Sequence, residues 1–191
     1  MSGASGVEVT KTAIGGLLEI SIPVHGDERG WFKENWQVEK MRAAGLPELH
    51  FVQQNVAFNA TAGVTRGIHA EPWDKYVSVA CGRVYAAIVD LREGPNFGTV
   101  SGHELTPDKA LLIPVGCGNS YQVLEPATAY IYLTTGLWSA GMTYPAVSPM
   151  DSELAIEWPL SGEHNVLSAK DLAAAPLAEF TPLGADFGKV R

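Results

Sequence analysis

The sequence predicts a mainly β fold, a sandwich or barrel of short strands with a few short helices. Short runs of alternating apolar and polar residues recur between clusters of Gly, Pro, Asn and Asp, a pattern typical of such folds. Hydrophobic residues make up 46% of the 191 residues, which is enough to fill a sizeable core, so we do not expect a disordered chain. Only two segments place apolar residues at helical spacing.

The alternating runs predict the strands one by one along the chain. We place them at Leu17–Val24, Phe51–Phe58, Val64–Ala70, Lys75–Cys81, Arg83–Leu91, Val100–Leu105, Ala110–Ile113, Ser120–Leu124, Ala129–Thr134 and Leu154–Trp158. Gly82 interrupts a long apolar stretch, so we expect a hairpin or a bend at that position.

The first helix is predicted over Trp36–Ala44, where Gly45 provides a stop signal. The second begins after Ser168, a residue type that caps helix N-termini.

Repeats, low-complexity tracts and linkers are not visible, which predicts one domain over 1–191 with an N-terminal strand arm and a C-terminal helical tail. From Phe180 onward the sequence is rich in Pro, Gly and charge, as at a domain edge or a fusion junction.

Composition excludes several classes of partner. The net charge of −8 and the pI near 5.0 argue against nucleic acid, because proteins that bind phosphate backbones normally carry a basic face. An anionic small substrate remains compatible, since a pocket can be locally basic.

Cys81 and Cys117 lie in apolar runs and predict two buried free thiols in a reducing compartment. Neither a signal peptide nor a run approaching the ~18 apolar residues of a membrane helix is visible, so we expect a cytoplasmic protein without a membrane partner.

The segment Gly63–Gly82 resembles the first motif of the metal-binding cupins. That motif runs Gly, five residues, His-x-His, a short gap, an acidic residue, six residues and Gly. His69 is present here, but Glu71 stands in place of the second histidine and Lys75 in place of the acidic residue. The spacing of the cupin motif is therefore kept while its ligands are replaced.

The segment Pro114–Asn119 resembles the second cupin motif, Pro-x-Gly-x-x-His, with Asn119 in the histidine position. A divalent transition-metal site needs three or four converging nitrogen, sulfur or carboxylate donors. The resemblance therefore implies a double-stranded β-helix, the cupin-type jelly-roll barrel, without a metal. We expect no other cofactor.

Several ordered motifs resemble those of one metal-independent branch, the dTDP-4-dehydrorhamnose 3,5-epimerase family, and together they span nearly the whole chain. They are Asp27–Glu34 (Asp-x-Arg-Gly-x-Phe-x-Glu), Phe51–Asn55 (Phe-x-Gln-x-Asn), Arg66–His69 (Arg-Gly-Leu-His), Val89–Arg92 (Val-Asp-x-Arg) and the closing segments Ile156–Pro159 and Leu167–Asp171. Any one of these motifs alone is a weak signal, whereas their common order and spacing form a strong one.

The resemblance implies a dTDP-linked 4-keto-6-deoxyhexose as substrate. Hydrogens at C3 and C5 flank the C4 ketone, so each can leave as a proton while its electrons move to the ketone oxygen. This chemistry needs a base on one face, a donor near the enolate oxygen and an acid on the other face.

The best candidate for the base is His69, since an imidazole with an ordinary pKa near ~6.5 suits proton removal at neutral pH. By resemblance, Asp171 would hold its other ring nitrogen. Lys75 matches the family lysine that stabilises negative charge at the ketone oxygen, and strand alternation places it on the face that a barrel buries. A structural histidine and an ordinary surface lysine are the alternatives.

Tyr132 is the candidate acid. It follows Asn119 by thirteen residues, the separation that the family implies between the corresponding histidine and tyrosine. Tyr130 shares its face by alternation, so core packing of one of the two tyrosines stays open.

Nucleotide or sugar contacts are implied for a further group of polar residues. These are Arg29, Glu34, Gln53, Asn55, Arg66 and Asn119. Strict alternation places Arg66 on the face opposite His69, so it reaches the substrate only if a bulge or a neighbouring strand redirects it.

Three departures from the family pattern leave the reaction outcome open. Asn119 cannot shuttle protons, although it can hydrogen-bond. The loop between His69 and Lys75 is shorter than usual, and the aromatic pair expected after Tyr132 is reduced to Leu137–Trp138. The alternatives are an enzyme that epimerises only C3 or moves the ketone, and a sugar-nucleotide-binding module with little activity. A metal-dependent cupin is disfavoured by the missing ligands.

Partners are implied by the resemblance as well. Relatives pair through their β-sheets and exchange N-terminal segments, and Leu17–Val24 predicts an apolar strand edge of the kind that is usually covered. We therefore expect a homodimer. One subgroup of the family is fused to a dTDP-4-dehydrorhamnose reductase domain, so a reductase of the same pathway is a further candidate partner.

Overall fold

The computed structural model describes residues 6–161 and 165–189. Within these residues it contains twelve strands, β1 (Glu8–Lys11), β2 (Leu18–Ser21), β3 (Val24–Asp27), β4 (Gly30–Lys33), β5 (Gln53–Asn59), β6 (Thr65–His69), β7 (Lys75–Cys81), β8 (Val84–Asp90), β9 (Val100–Leu105), β10 (Lys109–Ile113), β11 (Cys117–Val123) and β12 (Thr128–Thr134).

The strands form two main antiparallel sheets. The larger has the order β1-β2-β10-β7-β12-β5 and the smaller the order β6-β11-β8-β9, while β3 and β4 form a separate hairpin. Side chains from both main sheets pack into one buried cluster, which includes Val77 and Val79 of β7, Ile88 of β8 and Val123 of β11. Two sheets closed around a shared core are the cupin-like jelly-roll barrel that the sequence predicts.

Two short α-helices accompany the barrel within the described residues, α1 (Val38–Ala43) and α2 (Ala169–Leu172), together with a 3-10 helix over Leu177–Glu179. Helix α1 is followed by Gly45 at φ +99°, a conformation that favours glycine after a helix. Ser168 caps α2 by accepting the Asp171 N–H. Both predicted helices are thus confirmed in shorter form, and neither is long and apolar enough to cross a membrane.

Most predicted strands are confirmed, and two of them, Lys75–Cys81 and Val100–Leu105, have the predicted bounds. The strand predicted at Leu154–Trp158 is wrong. Leu154 is buried, but Ala155 has φ +46°, which is incompatible with an extended strand. The apolar pattern there reflects packing of a turn against the barrel.

The N-terminal region differs from the prediction. Strand β2 ends at Ser21, before the predicted end at Val24, and its edges are covered within the chain, by β1 on one side and β10 on the other. The sequence analysis also missed β1 and the β3–β4 hairpin, whose residues are mostly exposed and carry no burial pattern.

Gly82 makes a bend, since β7 and β8 belong to different sheets. At φ +79° a Cβ here would lie 2.0 Å from Thr128 Oγ1, so the position requires glycine. Of the two cysteines, Cys117 is buried as predicted, whereas Cys81 is exposed, because β7 leaves the core at its end.

Candidate active site

A cavity of about 610 Å³ lies against β6, β7, β11 and β12 and is closed on one side by the segment that leads into α2. It brings together six of the residues that the sequence analysis selected, namely Arg66, His69, Lys75, Asn119, Tyr132 and Asp171. A larger cavity of about 770 Å³ lies beside Phe180–Phe187 but contains none of these residues. We assign the site to the first cavity because the chemistry converges there.

A histidine–carboxylate pair occupies one wall. His69 is the last residue of β6, and its Nε2 lies 2.7 Å from Oδ1 of Asp171 on α2. The Ser168 cap fixes Asp171 from the backbone, with 3.1 Å between the Asp171 nitrogen and the Ser168 hydroxyl. Burial of Asp171 is the largest single influence and favours its neutral form, but the hydrogen bond and charge of His69, together with the hydrogen bonds from Ser168 and the Gly67 backbone, lower the pKa of Asp171 below its ordinary value. An ionised carboxylate can therefore orient the imidazole.

An ion pair occupies the cavity beside this dyad. Lys75, the first residue of β7, is only 3% exposed, as its alternation predicts. Its ammonium donates a hydrogen bond to the carboxylate of Glu71, which also lines the cavity. A buried positive charge thus faces the space that a substrate would fill.

The two candidate tyrosines differ in burial. Tyr130 is 1% exposed, stacks on Tyr121 with ring centroids 4.1 Å apart, and donates to Asn119 Oδ1 at 3.4 Å. Tyr132 lines the cavity and is only partly buried. Burial and the nearby Glu71 carboxylate raise the pKa of Tyr132, which keeps its hydroxyl protonated. Core packing therefore describes Tyr130, while Tyr132 is available to a substrate.

A bulge in β6 brings Arg66 and His69 to the same cavity. His69 pairs with Asn119 and Arg66 with Tyr121, so two residues of β6 lie opposite one residue of β11. The register shift redirects Arg66, which meets the condition that the sequence analysis set for this residue. Between them, Gly67 has φ +110°, and a Cβ there would lie 2.4 Å from the Asn119 carbonyl oxygen.

Arg29 and Glu34 do not reach the cavity of their own chain. Arg29 lies at the tip of the β3–β4 hairpin, where it pairs with Asp27 and its side chain is 83% exposed. Glu34 follows the hairpin and pairs with Lys40. Their binding roles stay predictions.

Gln53 and Asn55 lie on β5, which pairs with the cavity strand β12, but neither of them lines the cavity. Gln53 Oε1 accepts the backbone N–H of Trp138 at 2.8 Å, and Gln53 Nε2 donates to Asn55 Oδ1 at 2.7 Å. Asn55 is paired with Tyr132 across the β5–β12 ladder. These residues support the wall residues Trp138 and Tyr132, and a direct substrate contact stays a prediction.

Sequence reasoning did not assign every residue of the cavity. Lys170 lines it and lies inside the closing family motif, which was the available signal. Met142 and Tyr144 also line it but belong to an irregular segment without a motif.

The residues at the cupin ligand positions do not fit a metal. Glu71 is engaged by the Lys75 ammonium, whose charge would repel a cation, and Asn119 offers only an amide. Within residues 6–161 and 165–189, no group of three or more His, Cys, Asp or Glu side chains could hold an ion.

Comparison with known proteins identifies the family. The family model described as dTDP-4-dehydrorhamnose 3,5-epimerase matches residues 11–179. The chain is 44% identical to the RmlC homolog of Streptococcus pyogenes serotype M6 over 87% of this chain and 82% of that protein.

Solved structures agree. RmlC from Streptococcus suis, in complex with dTDP-D-xylose, superposes with a TM-score of 0.89 at 41% identity, covering 94% of this chain and 96% of that one. The dTDP-6-deoxy-D-glucose-3,5-epimerase RmlC of Legionella pneumophila, in complex with dTDP-4-keto-L-rhamnose, gives 0.81 at 33% identity over 93% and 98% of the two chains. The chain therefore belongs to the dTDP-4-dehydrorhamnose 3,5-epimerase family.

Proposed function

We propose that this protein epimerises a dTDP-linked 4-keto-6-deoxyhexose at C3 and C5. The observation that carries the proposal is the His69–Asp171 pair, which shares one cavity with the buried Lys75 ammonium and the Tyr132 hydroxyl. A base, a charge-stabilising donor and an acid are the three groups that the reaction needs.

The proposal gives one step to each group. The Asp171 carboxylate is hydrogen-bonded to Nε2 of His69. The other ring nitrogen, Nδ1, has no hydrogen-bond partner in the part of the chain that the structure describes. Nδ1 takes the proton from C5 or C3, and the electron pair of the broken C–H bond moves to the C4 oxygen. Lys75 donates to that oxygen and stabilises its negative charge. Tyr132 then donates a proton to the carbon from the opposite face, as the electron pair returns from the C4 oxygen to form the new C–H bond. Tyr132 regains a proton from solvent, and His69 releases to solvent the proton that it took.

Charge in the cavity supports a nucleotide-linked substrate. Arg66, Lys75 and Lys170 outnumber the Glu71 and Asp171 carboxylates among the lining residues, although the whole chain has a net charge of −8. Arginine in particular can bind phosphate oxygens through two parallel hydrogen bonds. The S. suis and L. pneumophila relatives hold dTDP-linked sugars, which supports the same substrate class here. The product keeps its C4 ketone, so we expect a reductase of the same pathway to consume it in the cytoplasm.

The test is NMR detection of deuterium wash-in with dTDP-4-keto-6-deoxyglucose in D2O. We expect exchange at C3 and C5. His69→Ala should abolish exchange at both positions while dTDP affinity stays within about tenfold, because a base acts on the chemical step. Absence of exchange in the wild-type protein, with dTDP still bound, would identify a binding module instead.

Asn119 favours a second candidate, an enzyme that exchanges mainly at C3. Its Oδ1 accepts from the Tyr130 hydroxyl at 3.4 Å, and an amide cannot relay a proton between that hydroxyl and a substrate. Rapid exchange at C3 with slow exchange at C5 would support this candidate over the full epimerase.

We also propose a homodimer. Strand β5 is an edge of the larger sheet, and its side chains Val56 and Phe58 are 61% and 62% exposed. On the β3–β4 hairpin, Phe32 is 64% exposed. Exposed strand edges and apolar patches are usually covered by a partner. An exchange of hairpins between two copies would account for the distance of Arg29 from its own cavity.

Light scattering at micromolar concentration tests the dimer. We expect a dimer for the wild-type protein and a monomer for Phe58→Glu, since a charge on β5 prevents apolar packing. Leu172→Glu is the matched control, because Leu172 is 64% exposed on α2, away from β5. A stable wild-type monomer would overturn the proposal.

A further inference from the structure

Glu71 is a charged residue of the cavity that the mechanism above does not use. The sequence analysis considered it only as a replacement for a metal ligand. It lies two residues after His69 and four before Lys75, and its side chain is 13% exposed. Its carboxylate accepts a hydrogen bond from the Lys75 ammonium, whose side chain is 4% exposed.

The buried ammonium depends on this partner. An ammonium group carries three N–H donors, and burying one without an opposite charge is costly. Glu71 is the only hydrogen-bond partner of Lys75 Nζ among residues 6–161 and 165–189. One donor is therefore fixed by Glu71, and the other two are left for a ligand in the cavity.

Glu71 also acts on the tyrosines around the cavity. After burial, its negative charge is the next cause that raises the pKa of Tyr132, and it raises the pKa of Tyr144, to about 12, in the same way. A phenol that stays protonated at the working pH can serve as an acid. The same carboxylate thus hydrogen-bonds the Lys75 ammonium and favours the neutral form of Tyr132.

We propose that Glu71 is a positioning residue of the reaction, which holds the Lys75 ammonium in place toward the substrate ketone through their ion pair. This inference rests on the proposed epimerase function. It explains why a carboxylate lies in a pocket that must accept an anionic substrate. The carboxylate is neutralised by Lys75 and leaves two donors of that ammonium for the ketone oxygen.

Other charged or titratable groups line the same cavity as the Glu71–Lys75 pair. From β6 and α2 these are Arg66, His69, Lys170 and Asp171. From β11, β12 and the loop that follows they are Tyr121, Tyr130, Tyr132 and Tyr144. A substitution of Glu71 alone leaves all of them in place, so a change in pH dependence can be assigned to its charge.

The test compares pH profiles of kcat for deuterium exchange in three variants. Glu71→Gln removes the charge and keeps the shape. Glu71→Asp keeps the charge on a shorter side chain. Asp74→Asn is the control, because Asp74 lies in the same loop but its Oδ1 accepts the Val115 N–H at 2.9 Å, outside the cavity.

In Glu71→Gln we expect the alkaline limb of the profile to move down by about 1–3 pH units, the shift that loss of one close charge causes. Activity lost at neutral pH should return partly at lower pH. Glu71→Asp should keep the limb near its wild-type position with a lower kcat, and Asp74→Asn should match the wild-type profile.

A purely structural role would instead lower the melting temperature and dTDP affinity of Glu71→Gln while its alkaline limb stays in place, and that result would overturn the inference. The two proposals fail differently. If the wild-type protein exchanges no deuterium, the epimerase function is wrong. If it exchanges normally and the Glu71→Gln limb does not move, only the role of Glu71 is wrong.

Discussion

Replacing Asp171 by Asn tests the dyad most directly. The substitution removes the negative charge that lies 2.7 Å from His69 Nε2 and keeps the size of the side chain. A hydrogen bond to a charged group contributes about 1.5–3 kcal/mol. If this stabilisation applies to the imidazolium formed during proton abstraction, its loss corresponds to about a 10- to 150-fold fall in kcat.

The assay is deuterium wash-in at neutral pH, with dTDP affinity measured in parallel. Asp151→Asn is a suitable control, since the Asp151 carboxylate accepts the backbone N–H groups of Glu153 at 2.7 Å and Leu177 at 2.5 Å and does not line the cavity. We expect Asp171→Asn to slow exchange at both carbons with dTDP affinity unchanged. Wild-type exchange rates in this variant would refute the role of the carboxylate.

The same pair predicts a pH dependence of stability. The pKa of Asp171 is lowered in the folded protein. The ionised carboxylate of Asp171 therefore stabilises the fold in full at pH values above the ordinary carboxyl pKa near ~3.9. The contribution is lost as the pH falls through the folded-state value. The difference in free energy of unfolding between the wild-type protein and Asp171→Asn should therefore shrink below about pH 4 in urea titrations. A difference that stays constant with pH would contradict this.

Four further predictions concern other parts of the molecule. Asn119→His should add exchange at the slower carbon, by up to about 10²–10³-fold; equal, rapid wild-type exchange at C3 and C5 would contradict this. Activity should survive EDTA, with less than one equivalent of transition metal by elemental analysis; one tightly bound equivalent of zinc, iron or nickel would oppose it. Burial lowers the pKa of Lys33 to about 8 from an ordinary 10.5, so the unfolded chain binds more protons between these values. The urea stability of the wild-type protein relative to Lys33→Met should therefore rise with pH over that interval, and a flat difference would count against it. Gly67→Ala should cost on the order of 1–3 kcal/mol in urea unfolding, because its Cβ meets the Asn119 carbonyl at a left-handed backbone position, and it should impair exchange; wild-type stability would show that β6 can relax.

The barrel strands could be predicted because their alternation is local. In β7, apolar residues must face the core at every second position, and Gly82 at one end requires a turn. The β3–β4 hairpin could not be predicted in this way, since almost all of its residues are exposed and neither face is required to be apolar. The turn around Leu154 is the opposite case, since its apolar pattern predicts a strand although Leu154 is buried in a turn.

Some features of the candidate site could be predicted from the sequence, and others could not. Family motifs selected His69 and Asp171 although they are 102 residues apart, because each motif carries its own signal. Local alternation placed Lys75 on the buried face but could not show its partner. Glu71 lies in the loop that joins β6 to β7, and the path of that loop brings its carboxylate to the Lys75 ammonium. The placement of Arg29 outside its own cavity depends on how the hairpin leaves the barrel, which no single segment encodes.

By itself, the sequence determined the family, the barrel strands and the residue types of the site. Burial patterns and motif spacings depend only on residues that are close together in the sequence. Only the tertiary structure decided how Arg66 reaches the cavity and which partner Lys75 has. The bulge in β6 depends on the register between β6 and β11, and the Glu71–Lys75 pair depends on the loop that joins β6 to β7. Register and loop geometry result from packing summed over the whole barrel, so no local pattern of residues records them.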